Sequence, residues 1–301
     1  MNRLEVRDLP KLSRRRADAH KGDFGHVFII AGSRGMAGAG CLAAMGALRG
    51  GAGLVTVGCP ESLYPIMAAK LTEAMTLPLP ATAGGALALA ALEPALEFAE
   101  KCTVVAVGPG LGHEEETGEL VRQLAARVDH VLVVDADGLN AFAGRAKEFA
   151  GRKGPTLITP HPGEMGRLAG MTAAEVQMNR EKTAVEFAAR FEAFAVLLKG
   201  AGTIVAERER LYVNSTGNPG MATGGTGDVL TGVCTALVAQ RLDHFEAGAL
   251  GAHLHGLAGD LAARRLGQAG MIAGDVVECL PAAIEQHRTG AALPPRRPAN
   301  R

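Results

Sequence analysis

Tryptophan is absent from this chain, tyrosine occurs twice, and aromatic residues make up 4% of it. Stacking surfaces for nucleic-acid bases are therefore not expected. Neither sign of charge is in surplus, since Lys+Arg and Asp+Glu are both 31. No basic field draws nucleic acid, and no acidic excess repels it. The five cysteines (Cys41, Cys59, Cys102, Cys234 and Cys279) are scattered and form no CxxC pair. That pattern reads as reduced, buried thiols of a cytoplasmic protein. No charge-free run approaches membrane-spanning length: the most apolar helical stretch, near residue 45, contains Arg49 and is full of glycine. The opening MNRLEVRDLPKLSRRR lacks an apolar core, so it is not a secretory signal.

What the chain has in excess is glycine, 40 residues of 301, on a background that is 48% hydrophobic and 21% charged. A sizeable core is expected, with many tight turns and close backbone approaches. Short β-branched runs at 26–31, 53–59, 103–107, 130–134, 156–159 and 195–198 read as buried strands. Segments 204–206 and 211–213 flank a turn and read as a hairpin. Helical patterns lie between and after them, from after Gly40 to about 50 and at about 61–71, 115–128, 173–191, 228–241, 245–266 and 273–286. Residues 77–90 have little pattern and read as a connection. Strands alternating with helices predict an α/β fold, a mostly parallel sheet covered on both faces. The expected organisation is a loose arm over 1–20, one domain over 21–288 and a disordered tail over 289–301.

Each strand ends in a glycine or polar cluster: GPGLG (108–112), DADGLN (135–140), TPHPGE (159–164), KGAGT (199–203) and, before the next helix, GGTGD (224–228). Ligands of open parallel sheets bind beyond the carboxyl ends of the strands, so these clusters converge on one crevice. A further turn at Gly32–Gly40 is neither GxGxxG nor a Walker loop. Its small residues serve either close helix packing or ligand contact.

The stretch 214–237 passes from a glycine-loaded loop into an apolar helix. Its unpaired N–H groups and the positive end of its dipole make an anion site. Asp228 beside such a cradle reads either as an N-cap or as a base that takes a proton from a hydroxyl attacking phosphorus. On the second reading, the N–H groups of Gly225, Thr226 and Gly227 form an anion hole for the transferred phosphoryl. Glu164 reads as an outer, water-mediated partner of Mg²⁺ or as a first-turn acid favoured by the helix dipole. Asp135 and Asp137 read as holders of metal-bound water, with an Asx turn as the alternative for Asp137. His253 and His255 are two apart on a helix and so do not share a face for a metal.

Together, VGPGLG, DADGLN, TPHPGE, KGAGT and NPGMATGGTGDVL resemble the ADP- or ATP-dependent NAD(P)H-hydrate dehydratases, of the ribokinase-like superfamily. The resemblance covers roughly residues 20–287. It implies a three-layer α/β/α sandwich and a metabolite-repair reaction. In that reaction the 6-hydroxyl of hydrated NADH or NADPH is phosphorylated, and phosphate then leaves. It implies contacts from Ala39, Gly110, His161 and Asp228 to the hydrated dinucleotide. It also implies contacts from Lys199, Gly200, Ala201, Gly202, Thr203 and Gly227 to the AMP moiety of the donor. Mg²⁺ and ADP, rather than ATP, are the expected co-reactants, and a homotetramer the expected assembly. An epimerase is the expected partner, separate because the N-terminal stretch is too short to hold one. The alternative within the superfamily is a small-molecule kinase of the hydroxymethylpyrimidine or thiazole type, which stops at the phosphate ester. An intact GGTGD argues against a silent nucleotide-binding regulator.

Overall fold

The runs HVFII, VVAV, VLVV, TLI and FAVLL are almost wholly apolar, and such strands are stable only where helices cover both faces of a sheet. In the computed structural model, which describes residues 4–290, they form the middle of one ten-stranded sheet. The strands are β1 (Leu4–Glu5), β2 (His26–Ile30), β3 (Leu54–Pro60), β4 (Met75–Leu79), β5 (Val104–Val107), β6 (Val131–Val134), β7 (Thr156–Ile158), β8 (Phe194–Leu198), β9 (Ile204–Ala206) and β10 (Arg210–Val213). Their order is β1-β10-β9-β8-β7-β6-β5-β2-β3-β4. Only β9 runs antiparallel to its neighbours.

The helices are α1 (Ala37–Arg49), α2 (Tyr64–Lys70), α3 (Leu92–Ala99), α4 (Glu115–Arg127), α5 (Ala136–Asn140), α6 (Pro162–Ala169), α7 (Ala173–Met178), α8 (Arg180–Ala188), α9 (Thr226–Ala239), α10 (His244–Leu266) and α11 (Ala273–Thr289). α1, α2 and α9–α11 pack with Val27, Ile29, Val133 and Leu197 on one face. α3–α8 pack with Phe28, Ile30, Val134 and Val196 on the other. The alternation follows the period of two along each strand. The result is the expected three-layer α/β/α sandwich. Each of these buried aliphatic side chains contributes about 1.5–3 kcal/mol.

Several elements depart from the sequence reading, and β1, α3, α5 and α6 were not in it. The stretch 77–90 is not only a connection, because β4 enters it. β4 is an edge strand with Pro78 inside and only Leu79 buried, so it lacks a buried strand's pattern. The single helix expected over 173–191 is two, α7 and α8, broken at Asn179. α9 starts at Thr226, two residues before the expected position. Residues 4–20, expected as a loose arm, run along the body. β1 pairs with β10, Arg15 donates to Gly51 O at 2.7 Å, and Pro10 O meets His287 Nε2 at 3.1 Å. The expected disordered tail lies outside the described residues from 291 onward. Among the described residues no helix is long and apolar enough to cross a membrane.

Candidate active site

β2 has β3 on one side and β5 on the other, so the chain winds outward in opposite directions from the β2/β5 boundary. A crevice opens at such a switch point, where the following segments go to opposite faces. Here they do: β2 leads to α1 on one face, and β5 leads to α4 on the other. Gly32 N donates to Pro109 O at 2.9 Å and ties the two strand ends together. Gly110 (φ +65) presses so closely on α1 that a Cβ there would lie 2.9 Å from the Ala39 Cβ. Ala39 and Gly110 therefore form one wall of the crevice.

α9 starts beside α1, where a Cβ on Gly225 would meet Leu42. Gly225 is its N-cap in the left-handed region, φ 91 and ψ −15, a conformation an L side chain rarely takes. The first bond of the helix runs from Val229 N to Gly225 O at 3.1 Å. The N–H groups of Thr226, Gly227 and Asp228 thus face outward at the positive end of the dipole. Thr226 Oγ1 holds the preceding loop, lying 3.0 Å from both Met221 O and Thr223 O.

Next to it lies a chain of charged groups drawn from the ends of β6, β7 and β8 and the start of α9. Lys199, just after β8, donates to Asp135 Oδ1 at 2.7 Å, and its Nζ is 3.8 Å from Glu164 Oε2. Asp135 is 1% exposed, and its second oxygen accepts from Thr231 Oγ1 at 2.6 Å. Asp228 stands close by at the third position of α9. Burial pushes its carboxyl up to about 7, Asp135 adds to the rise, and Lys199 opposes it. Lys199 itself is raised despite its desolvation, because Asp135 and Glu164 hold its proton. A carboxyl poised near neutrality at a helix N-terminus is the arrangement of a general base.

TPHPGE is a helix cap. His161 is the N-cap of α6, and its Nδ1 accepts from Gly163 N at 3.0 Å and Glu164 N at 3.3 Å. The ring is therefore in the Nε2–H tautomer, and burial lowers its pKa. Glu164 Oε2 returns the bond, accepting from His161 N at 2.7 Å, which completes a capping box. Asp137 reaches across to accept from Gly112 N at 2.9 Å, and its other oxygen accepts from Asn140 at 3.2 Å. No Asx turn forms there.

A cavity of about 590 Å³ opens on the far side of Gly227. KGAGT (199–203) lines one side and residues 214–219 the other, with Leu230, Ala252 and His255 at its base. Of the expected site residues, Glu164 and Lys199 lie close to Asp228, His161 caps the helix that carries Glu164, Ala39 lies against Gly110, and Lys199–Thr203 and Gly227 line the adjoining cavity. Among the described residues there is no group of three His, Cys, Asp or Glu fit to hold a metal. Direct ligation by Glu164 would draw Oε2 from the His161 N–H. A second lone pair on each oxygen leaves room for contact through metal-bound water. The residues therefore fit Mg²⁺ carried on donor phosphates rather than a protein cage.

Sequence reasoning missed several supports. Arg180, on α8, donates to Ala201 O and, at 3.2 Å, to Leu198 O, and so holds KGAGT from behind. Asp260 accepts from Gly217 N and Asn218 Nδ2, each at 3.0 Å, and fixes the other lip. Thr231 lies one turn beyond GGTGD and carries no motif signal. These roles depend on long-range contacts, for which the local pattern holds no sign.

A family model described as NAD(P)H-hydrate dehydratase matches residues 27–282. The chain is similar to the bifunctional NAD(P)H-hydrate repair enzyme of Moorella thermoacetica, 50% identical over 90% of this chain and 51% of that protein. It is also similar to the ADP-dependent (S)-NAD(P)H-hydrate dehydratase of Neisseria meningitidis, 37% identical over 87% of this chain and 86% of the other. Its structure resembles the ADP/ATP-dependent NAD(P)H-hydrate dehydratase of Bacillus subtilis co-crystallised with ATP/Mg²⁺. That likeness has a TM-score of 0.79 and 30% identity over 92% of this chain and 95% of that one. The chain spans about half the length of the bifunctional relatives it matches.

Proposed function

The chain belongs to the NAD(P)H-hydrate dehydratase family, and on that premise we propose that it dehydrates hydrated NADH or NADPH at the expense of an adenine nucleotide. The observation that carries the reading is Asp228, a carboxyl pushed up to about 7 by burial and set among outward N–H groups at the start of α9. A pure anion binder gains nothing from a carboxylate there. A phosphoryl acceptor that must lose a proton does.

In this reading the 6-hydroxyl of the hydrated ring gives its proton to Asp228 as its oxygen attacks the terminal phosphorus of the donor. The bond to the donor's bridging oxygen breaks, and AMP leaves if the donor is ADP. The Thr226, Gly227 and Asp228 N–H groups, at the turn set by Gly225, stabilise the transferred phosphoryl. The ring nitrogen then expels phosphate from the sixth carbon, and loss of a proton from the adjacent carbon restores the dihydronicotinamide. Ala39, Gly110 and His161 hold the dinucleotide, His161 through its Nε2–H. Lys199, Gly200, Ala201, Gly202, Thr203 and Gly227 hold the donor, with Lys199 neutralising phosphate charge. Mg²⁺, borne by the donor phosphates with Glu164 in contact through water, would spread the charge that develops on transfer. ADP is the favoured donor because the Neisseria relative is named for it. A cytoplasmic homotetramer working with an epimerase completes the proposal.

The assay is absorbance at 340 nm with chemically hydrated NADH, Mg²⁺ and either ADP or ATP. A rise that needs nucleotide is expected, faster with ADP. No rise with either nucleotide, in protein that binds AMP, would overturn the reading.

A further inference from the structure

Arg167 lies on α6, one turn beyond Glu164, on the helix that His161 caps. Its Nε donates to Asn140 Oδ1 at 2.9 Å. Asn140 ends α5, and its amide in turn donates to Asp137 Oδ1 at 3.2 Å. Asp137 Oδ2 accepts from Gly112 N at 2.9 Å. Hydrogen bonds in series therefore tie the guanidinium to the GPGLG turn, which carries Gly110. It also stands against His161, a second expected contact of the dinucleotide. A Cβ on Gly163 would lie 2.8 Å from His161 Cε1 and 3.7 Å from Arg167 Nη1, so both side chains flank the same backbone position.

What holds the guanidinium is a neutral amide oxygen. Among the described residues no carboxylate lies within ion-pair distance of it. Glu164, on the same helix, is engaged elsewhere: it accepts from His161 N and faces Lys199 Nζ. Nη1 and Nη2 donate to no group of the described residues, and the side chain is exposed, so a ligand can reach both. One edge of the fork is fixed, and the other is free with its charge uncompensated. A guanidinium fork matches a pair of phosphate oxygens, and fixing it in advance lowers the entropy lost on binding.

We propose that Arg167 is a contact for the hydrated dinucleotide, its Nη1 and Nη2 donating to the diphosphate bridge. This rests on the reading of Gly110 and His161 as dinucleotide contacts. The diphosphate is the anionic group that hydrated NADH and hydrated NADPH share. The cavity beside KGAGT, assigned to the donor, is lined by other residues.

The test is turnover at 340 nm with hydrated NADH varied at saturating ADP. Arg167→Ala should raise KM about 10- to 100-fold, as expected for charge-assisted hydrogen bonds, and change kcat by less than about threefold. Hydrated NADPH should show the same rise. A rise confined to NADPH would place the guanidinium on its extra phosphate and overturn the diphosphate contact. Asn140→Asp separates contact from structure. It gives the guanidinium a carboxylate of its own, which holds the side chain no less firmly but neutralises its charge. KM should therefore rise several-fold with Tm kept, whereas an arginine that only braces α6 against α5 would leave KM alone. AMP affinity, read by calorimetry, should match the parent in both variants. If both variants keep the parent's KM, the contact is wrong, and if Arg167→Ala does not fold, Asn140→Asp decides alone. Absence of turnover by the unaltered protein with either ADP or ATP would strike at the dehydratase reading itself and take this contact with it.

Discussion

Asp135 joins two elements far apart in sequence: one oxygen accepts from Lys199 Nζ at 2.7 Å, the other from Thr231 Oγ1 at 2.6 Å. Lys199 comes from the end of β8 and Thr231 from the second turn of α9. Beside this pair sits Asp228, raised by Asp135 and lowered by Lys199. Burial sets the raised proton affinity of the proposed base, and an ion pair it is not part of tunes it. Breaking the pair from either side should shift that affinity in opposite directions.

The pH profile follows. Asp228 accepts a proton only when ionised, so kcat/KM should fall about tenfold per pH unit below its pKa, which burial places at about 7 in the free enzyme. Lys199→Met removes a stabilising cation, so its acid limb should move to higher pH. Asp135→Asn removes a repelling anion, so its limb should move lower. A limb unmoved by both changes would mean that a different group titrates.

Asp228→Asn separates chemistry from stability. Turnover should drop by about 10²–10⁴, the usual range for loss of a general base, while AMP affinity is kept. The folded pKa lies above the ordinary value of 3.8. The carboxyl is therefore fully compatible with folding below about pH 4 and costs stability as pH rises through 7. The amide escapes that cost. The variant should be more stable than the parent at pH 8, on the order of 1–3 kcal/mol after screening, and no more stable at pH 4. Urea denaturation at the two pH values reads this directly.

Arg180→Ala tests the support behind KGAGT. Its guanidinium spans the carbonyls of Leu198 and Ala201, and burial lowers its pKa. Two charged hydrogen bonds to a loop contribute about 1.5–3 kcal/mol each at most, and here they fix the loop rather than the core. AMP affinity should fall about tenfold with a small change in Tm. A large fall in Tm with affinity unchanged would place Arg180 in folding rather than in the site.

The central strands were legible because burial on both faces leaves a run such as VVAV with no polar residue. Four of the clusters were legible because they follow β5, β6, β7 and β8, which run parallel and so carry them to the same edge of the sheet. β4 was not, since an edge strand with Pro78 and exposed Met75 has no need of a buried pattern. The break at Asn179 was hidden because the apolar period of α7 continues into α8. The capping role of His161 was open to reading from H-P-G-E, where an acid follows the cap by three residues. The Lys199–Asp135–Thr231 link was not, because separations of 64 and 96 residues leave no local trace.

The turn at Gly225 gives the most discriminating pair of variants. At φ +91, a side chain there is strained by about 1 kcal/mol, and its Cβ would run into Leu42 Cδ1 on α1. Gly224, next to it, has open space where a Cβ would point. Gly224→Ala should therefore leave stability within about 0.5 kcal/mol of the parent. Gly225→Ala should cost about 1–3 kcal/mol. Its effect on turnover should be larger than that loss implies. The strain is relieved by rotating the peptide that sets the direction of the Thr226 and Gly227 N–H groups. A misdirected donor in such a hole costs on the order of 10² in kcat. Turnover of folded Gly225→Ala protein, measured well below its Tm, carries the decision. Near-normal kcat would show that the N–H groups at this turn do not hold the transferred phosphoryl.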